Sequence, residues 1–337
     1  MDAVAYALAA GIPATISSVN VETTKASLPT NLANHGQSTL GDGTVLVTGG
    51  STTGSDSQRT DIVRSWSPTT NSWTQKSSLI TPRWRHRQST LADGTALVAA
   101  GETSGQIPAY YYRRYVQQYN PTTNVWSNKA QFPQDIYWTG QSTLGDGTVL
   151  VTGGYWTGTS YNTVRSWSPT TNSWTTKASL NGTRRQHGQS TLADGTALVT
   201  GGWISNQPSS DVRSYDPSTN AWTQKTSMPA TAHGHGQSTV GDGTVLTTGG
   251  PTGTGYVSAA CYSYDPATNT WTTKIALSNV RIAHGQSTLG DGTVLLTGGS
   301  YTNSATGNPT SGVQQYDPGL ELPTPGRAAL LGYLAAN

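Results

Sequence analysis

The sequence predicts an all-β protein: a six-bladed β-propeller of four-stranded antiparallel blades, with the last blade closed by the N-terminal strand. Three observations predict it. Asp-Gly pairs stand at 42–43, 93–94, 146–147, 194–195, 242–243 and 291–292, so a unit of about fifty residues recurs six times. Every unit carries the signals of two strand pairs in the same order. The sixth unit stops after its third strand, at Tyr316-Asp317-Pro318, and a fourth is supplied from before the first unit, where Thr24-Lys25-Ala26-Ser27-Leu28 matches Thr176-Lys177-Ala178-Ser179-Leu180 residue for residue. Repeats of this length are single supersecondary units that bury their apolar faces only against neighbours. Radial repetition of four-stranded sheets is the propeller.

Each unit opens on a form of His-Gly-Gln-Ser-Thr, the first strand, and turns at Asp-Gly, where glycine accepts the positive φ of a tight hairpin. A continuous apolar run such as Val45-Leu46-Val47 follows, the mark of a strand buried on both faces, and ends in a Gly-Gly doublet. A loop of variable length leads to the third strand, for example Val212-Arg213-Ser214-Tyr215. The turn Asp216-Pro217-Ser218-Thr219-Asn220 then leads to the fourth, Ala221-Trp222-Thr223. In five units an aromatic residue precedes the Trp by seven positions, as Trp66 does Trp73 and Tyr215 does Trp222, and such rings are expected to wedge adjacent blades apart. Glu22 stands where the closing strand should carry its Trp, so that strand should pack differently. In the second unit Ala99-Ala100-Gly101 replaces the doublet, and its loop is expected to leave the strand differently.

The Gly-Gly doublet, the Tyr or Trp, and the Trp seven residues later resemble the kelch repeat. The resemblance covers residues 18 to 318 and implies a kelch-type propeller, most often a protein-interaction or assembly scaffold. The expected organisation is an N-terminal segment (1–17), the propeller (18–319) and a C-terminal tail (320–337). Galactose-oxidase-like enzymes also carry kelch repeats, with copper held by His and Tyr and a Cys crosslinked to a Tyr. Cys261 and Tyr262 are neighbours here and do not match that pair, and no copper ligand carries over.

Only 11% of residues are charged, against roughly 25% in ordinary domains, and the net charge is +2, so no global field draws nucleic acid or an anionic membrane. No apolar run approaches the roughly 20 residues of a membrane span. The single cysteine excludes an internal disulfide. All six lysines, Lys25, Lys76, Lys129, Lys177, Lys225 and Lys274, share one position on the fourth strand, where an exposed edge is protected from pairing with other chains.

The Asp-Gly and Asp-Pro turns fall at one end of the propeller. The loops at the opposite end carry nine arginines (Arg59, Arg83, Arg85, Arg87, Arg113, Arg114, Arg184, Arg185, Arg281) against five acids (Asp56, Asp61, Glu102, Asp135, Asp211), together with many Tyr and Trp. Aromatic rings stack on sugars or apolar side chains, and guanidinium forks pair with carboxylates. The expected ligand is therefore an anionic glycan or an acidic peptide. Trp84, Arg85, Arg113, Trp138, Trp156, Arg184 and Trp203 are the candidate binding residues. An extracellular or cell-surface setting goes with a glycan ligand, and Asn181-Gly182-Thr183 fits a glycosylation acceptor.

No catalytic residue, metal site or cofactor is assigned. His35, His86, His187, His235 and His284 share one repeat position. Equivalent sites on different blades are too far apart for ligands that must lie about 2 Å from one zinc ion, so packing and hydrogen bonding are expected of them. The loop acids are scattered over four blades, no nucleophile elbow is present, and a binding module is favoured over an enzyme.

Overall fold

The computed structural model describes residues 22–55, 58–103, 114–252, 256–302 and 307–319. The expected segments 1–17 and 320–337 lie outside them. The described residues contain six four-stranded antiparallel sheets. Blade 1 is typical, with Gly36–Thr39 innermost, then Val45–Thr48, Val63–Ser67 and, outermost, Ser72–Gln75. In blade 6, Gly285–Thr288, Val294–Thr297 and Val313–Tyr316 are joined by Glu22–Thr24, whose Glu22 lies opposite Tyr316.

Alternation along the second strand explains its uninterrupted apolar run. Val45 and Val47 pack towards blade 6 with Leu289, Leu295 and Val313, while Leu46 points the other way into Val63, Ala96 and Tyr119 at the boundary with blade 2. Successive side chains on a strand take opposite faces, so a sheet flanked by two neighbours needs both faces apolar. The core is accordingly six clusters, one at each boundary between blades.

The aromatic pair does more than fill space. Asn220, at φ 54°, accepts a hydrogen bond at Oδ1 from Ala178 N–H (2.9 Å), and Trp222 Nε1 donates to the carbonyl of the same Ala178 (2.8 Å). One residue of the preceding blade is thus gripped by both its peptide groups. Asn71 and Trp73 hold Ala26 in the same way, Asn124 and Trp126 hold Ser77, Asn172 and Trp174 hold Ala130, and Asn269 and Trp271 hold Thr226. The gripped residue always follows the repeat lysine. At the ring closure Glu22 does pack differently: its carboxylate accepts from Ser278 N–H (2.6 Å), and Tyr316 Oη donates to Ile275 O (2.6 Å).

Ala100 keeps φ at 61°, close to the 56–66° of its glycine counterparts Gly49, Gly153, Gly201, Gly249 and Gly298. The backbone therefore leaves blade 2 along the common path, contrary to the expectation from sequence. The cost appears next door, where Gly101 N–H reaches the Ile136 carbonyl at 3.0 Å, against 2.7–2.8 Å for the equivalent bonds elsewhere.

Candidate functional site

Two features stand out at the loop end: the mouth of the central channel and an arc of aromatic residues beside it. The mouth is rimmed by the residue that precedes the repeat histidine. Asn34, Arg85, Trp138, Gln186, Gly234 and Ala283 all hold φ between 53° and 58°. Arg85 N–H donates to Asn34 O, Trp138 to Arg85, Gln186 to Trp138, Gly234 to Gln186, Ala283 to Gly234, and Asn34 to Ala283, at 2.8–3.1 Å. These six bonds form a closed circle.

Inside the rim the repeat motif ties each blade to the previous one. Thr48 Oγ1 donates to Gln88 Oε1 (2.7 Å), so its hydroxyl must accept from His86 Nε2 (3.0 Å), which places the imidazole proton on Nε2. Gln88 Nε2 in turn donates to Ser38 Oγ and Leu46 O. The same relay recurs for His187, His235, His284 and, across the closure, His35 with Thr297. Burial, with nearby arginines adding to it, pushes His35 down to about 3; burial, then His233 and Arg87, does the same to His235. These histidines are neutral structural donors.

The loop-end charges are largely spent. At the position three before the histidine, units alternate between apolar Leu32, Ile136 and Ala232 and buried Arg83, Arg184 and Arg281. Arg83 Nη1 donates to the Tyr115 carbonyl (2.9 Å), Arg281 Nη2 to Tyr301 Oη (3.0 Å), and Arg184 pairs with Asp211 and the Gly201 and Asp211 carbonyls. Burial would raise the Asp211 pKa, but Arg184, a hydrogen bond from Gln224, and Arg213 bring it below the usual carboxylate range. Glu102 sits between Arg59 (3.4 Å) and Arg85 (3.0 Å), and Asp135 pairs with Arg114 (3.2 Å).

The candidate binding residues therefore part company. Arg113 lies outside the described residues. Trp84 is fully buried, its Nε1 on Glu102 and its face covered by Arg85 at 3.7 Å, so it presents no ring to a ligand. Arg184 is 1% exposed and holds the third strand of blade 4, and Arg85 lies between Trp84 and Trp138 (4.4 Å). Trp138, Trp156 and Trp203 are partly exposed. Arg87 belongs to the innermost strand of blade 2 rather than to a loop.

The three partly exposed tryptophans form one arc across blades 3 to 5 with residues that were not among the seven candidates. Tyr137 meets Trp138 (5.0 Å), Tyr155 (5.5 Å) and Trp156 (6.0 Å), mostly edge to face. Arg185 bridges Tyr155 (4.9 Å) to Trp203 (5.3 Å), and Trp203 lies against His233 (4.8 Å). Arg185 Nη1 donates to Ser160 Oγ and Asn206 Oδ1, and no carboxylate pairs with it among the described residues. Burial and Arg185 lower His233 to about 4, so it is neutral at physiological pH. Strand parity separates Arg185 from Arg184: Arg184–Arg185 is a strand, and its two side chains leave on opposite sides.

Family comparison agrees with this geometry. The Kelch motif model matches residues 142–181 and 185–229. The fold is that of a kelch-type β-propeller. The propeller is similar to the solved structure of YjhT, at 14% identity and a TM-score of 0.71 over 86% of this chain and 95% of that one. No curated protein matches it in sequence. No helix among the described residues is long and apolar enough to cross a membrane.

Proposed function

We propose that this kelch propeller is a binding module that recognises a glycan, with a preference for acidic ones, through the arc formed by Tyr137, Tyr155, Trp156, Arg185, Trp203 and His233. The observation that carries the reading is Arg185 standing between two aromatic groups with no carboxylate partner. Partly exposed rings offer apolar faces to the C–H side of a pyranose. A guanidinium already hydrogen-bonded to Ser160 and Asn206 is held in place, so little side-chain freedom is lost when an acid group docks. Arg85 supports the arc from the rim, against Tyr137 (5.4 Å) and Trp138 (4.4 Å), and Trp84 backs Arg85. An extracellular or cell-surface setting belongs to the same reading.

The test is a glycan array probed with the wild-type protein, Trp156→Ala and Arg185→Ala. Trp156→Ala should weaken every bound glycan by about tenfold, equivalent to about 1.4 kcal/mol. Arg185→Ala should remove the preference for acidic glycans while leaving neutral ones bound. An array with no bound glycan, or binding untouched by both substitutions, rejects the reading and leaves a protein ligand for this face.

A further inference from the structure

The channel holds one charged side chain that the repeat does not explain. Five units begin the innermost strand with glycine: Gly36, Gly140, Gly188, Gly236 and Gly285. The second begins with Arg87. A Cβ on Gly36 would stand 2.6 Å from His86 Nε2 and 2.8 Å from Thr48 Oγ1, so in most boundaries the histidine–threonine pair of the relay fills this place. Between blades 2 and 3 all three members are exchanged together. Glycine becomes Arg87, histidine becomes Thr139, and threonine becomes Ala99.

The exchange leaves polar atoms without partners. Thr139 is fully buried and its Oγ1 has no hydrogen bond; Gln141 Oε1, which Thr would address in the other units, also has none. Trp138 Nε1, a donor, is buried and unpartnered. Arg87 makes one long hydrogen bond, from Nη1 to the His86 carbonyl at 3.4 Å, and pairs with no carboxylate among the described residues. Arg87 keeps partial exposure to the channel, and burial pushes its pKa down to about 10. Buried polar groups are nearly always satisfied, and each exception calls for an explanation.

Arg87, Trp138 and Gln141 line one cavity with the neutral histidines, reaching from the rim to the glutamine layer and enclosing about 100 Å³. That is several times the room a single water needs. We propose that this cavity binds a small oxyanion, a carboxylate, phosphate or sulfate group, with Arg87 supplying the charge and a forked pair of N–H donors. Trp138 lines the same cavity and its Nε1 is an unpaired donor, whereas Thr139 is fully buried and not part of the lining. The remaining wall, built of neutral imidazoles, glycines and glutamines, carries no acid to repel an anion. A chloride ion has the charge but cannot accept two parallel N–H bonds in the carboxylate manner, so the site should favour oxyanions over halide. The channel site shares Trp138 with the aromatic arc, but its charge comes from Arg87, and neither variant below substitutes a residue of the arc.

The experiment is calorimetric titration of the purified protein with formate, phosphate and sulfate at fixed ionic strength, with chloride as the control salt. Two variants accompany it. Arg87→Gln removes the charge. The triple exchange Arg87→Gly, Ala99→Thr, Thr139→His rebuilds the relay of the other units and so has a precedent for folding at the other relay boundaries. The expected result is one oxyanion per chain at millimolar or lower concentration, weakened about tenfold or more in both variants, with chloride ineffective. No heat with any of the three oxyanions, equal binding of chloride, or undiminished binding in the folded triple variant overturns the proposal.

Discussion

The grip of each blade on the one before it makes a quantitative prediction at Asn220. Its side chain accepts from Ala178 N–H and from Tyr215 Oη, each at 2.9 Å, and its backbone holds φ 54°. Substituting glycine removes both hydrogen bonds but fits the left-handed backbone. At about 0.5–1 kcal/mol for each partly exposed hydrogen bond, and up to about 1 kcal/mol for the extra freedom of glycine in the unfolded chain, Asn220→Gly should cost about 2 kcal/mol. Asn220→Ala loses the same bonds and must also hold alanine in the left-handed region, which costs about 1–2 kcal/mol, so it should be the worse of the two. Urea unfolding of wild type and both variants, followed by tryptophan fluorescence, measures the order. If Asn220→Gly unfolds at the wild-type urea midpoint, the clamp contributes nothing to stability. If Asn220→Ala is no worse than Asn220→Gly, the backbone part of the reasoning fails.

Three further outcomes are expected. The relay histidines have folded pKa values below their unfolded value of about 6.5, so the unfolded chain takes up protons first. The stability they contribute is intact above that pH and declines as pH falls towards the value of about 3 given for His35 and His235, by up to about 1.4 kcal/mol per unit for each histidine; a flat urea midpoint between pH 7 and pH 5 would contradict this. Gly188→Ala would place a Cβ 2.6 Å from His235 Nε2 and 2.3 Å from Gln237 Oε1, and such overpacking should destabilise by about 1–3 kcal/mol, read from the urea midpoint. Trp84→Ala empties a fully buried site and should cost about 3–5 kcal/mol in the same assay, whereas Trp156→Ala, on the partly exposed arc, should leave stability near wild type.

The period, the order of strands and the closing strand were legible because each is written as a local pattern: Asp-Gly for the hairpin, an uninterrupted apolar run for the doubly buried strand, and a fourth-strand sequence displaced to before the first unit. The lysine position was legible for the same reason. What lies between blades was not. The sequence displays Thr48 some forty residues before His86 and Gln88, and nothing in the spacing says that they join in one relay. The alternation of Leu32, Ile136 and Ala232 with Arg83, Arg184 and Arg281 was present in the sequence and would have marked those arginines as core. At the loop end, counting charges overstated what is free, because Glu102, Asp135 and Asp211 each hold an arginine. Trp84 was drawn from a short strand in which both residues, Arg83 and Trp84, are buried, and only the pairing geometry separates buried Arg184 from its neighbour Arg185.

The circle of backbone bonds at the channel mouth has a consequence for what the propeller can tolerate. A hoop carries load only while it is unbroken. Parting the first and last blades severs the link from Asn34 to Ala283 together with the His35–Thr297 and Gln37–Leu295 contacts, and the five remaining links then have a free end on each side. The seam between the chain's beginning and end carries the same bonds as the other relay boundaries, and parting it opens the hoop. The hoop also sets its own circumference: with every rim N–H already matched to one carbonyl, a further unit could enter only by opening a link and being gripped on both sides. Duplication of blades, so visible in the sequence, is by this geometry a matter of rebuilding the whole hoop at once.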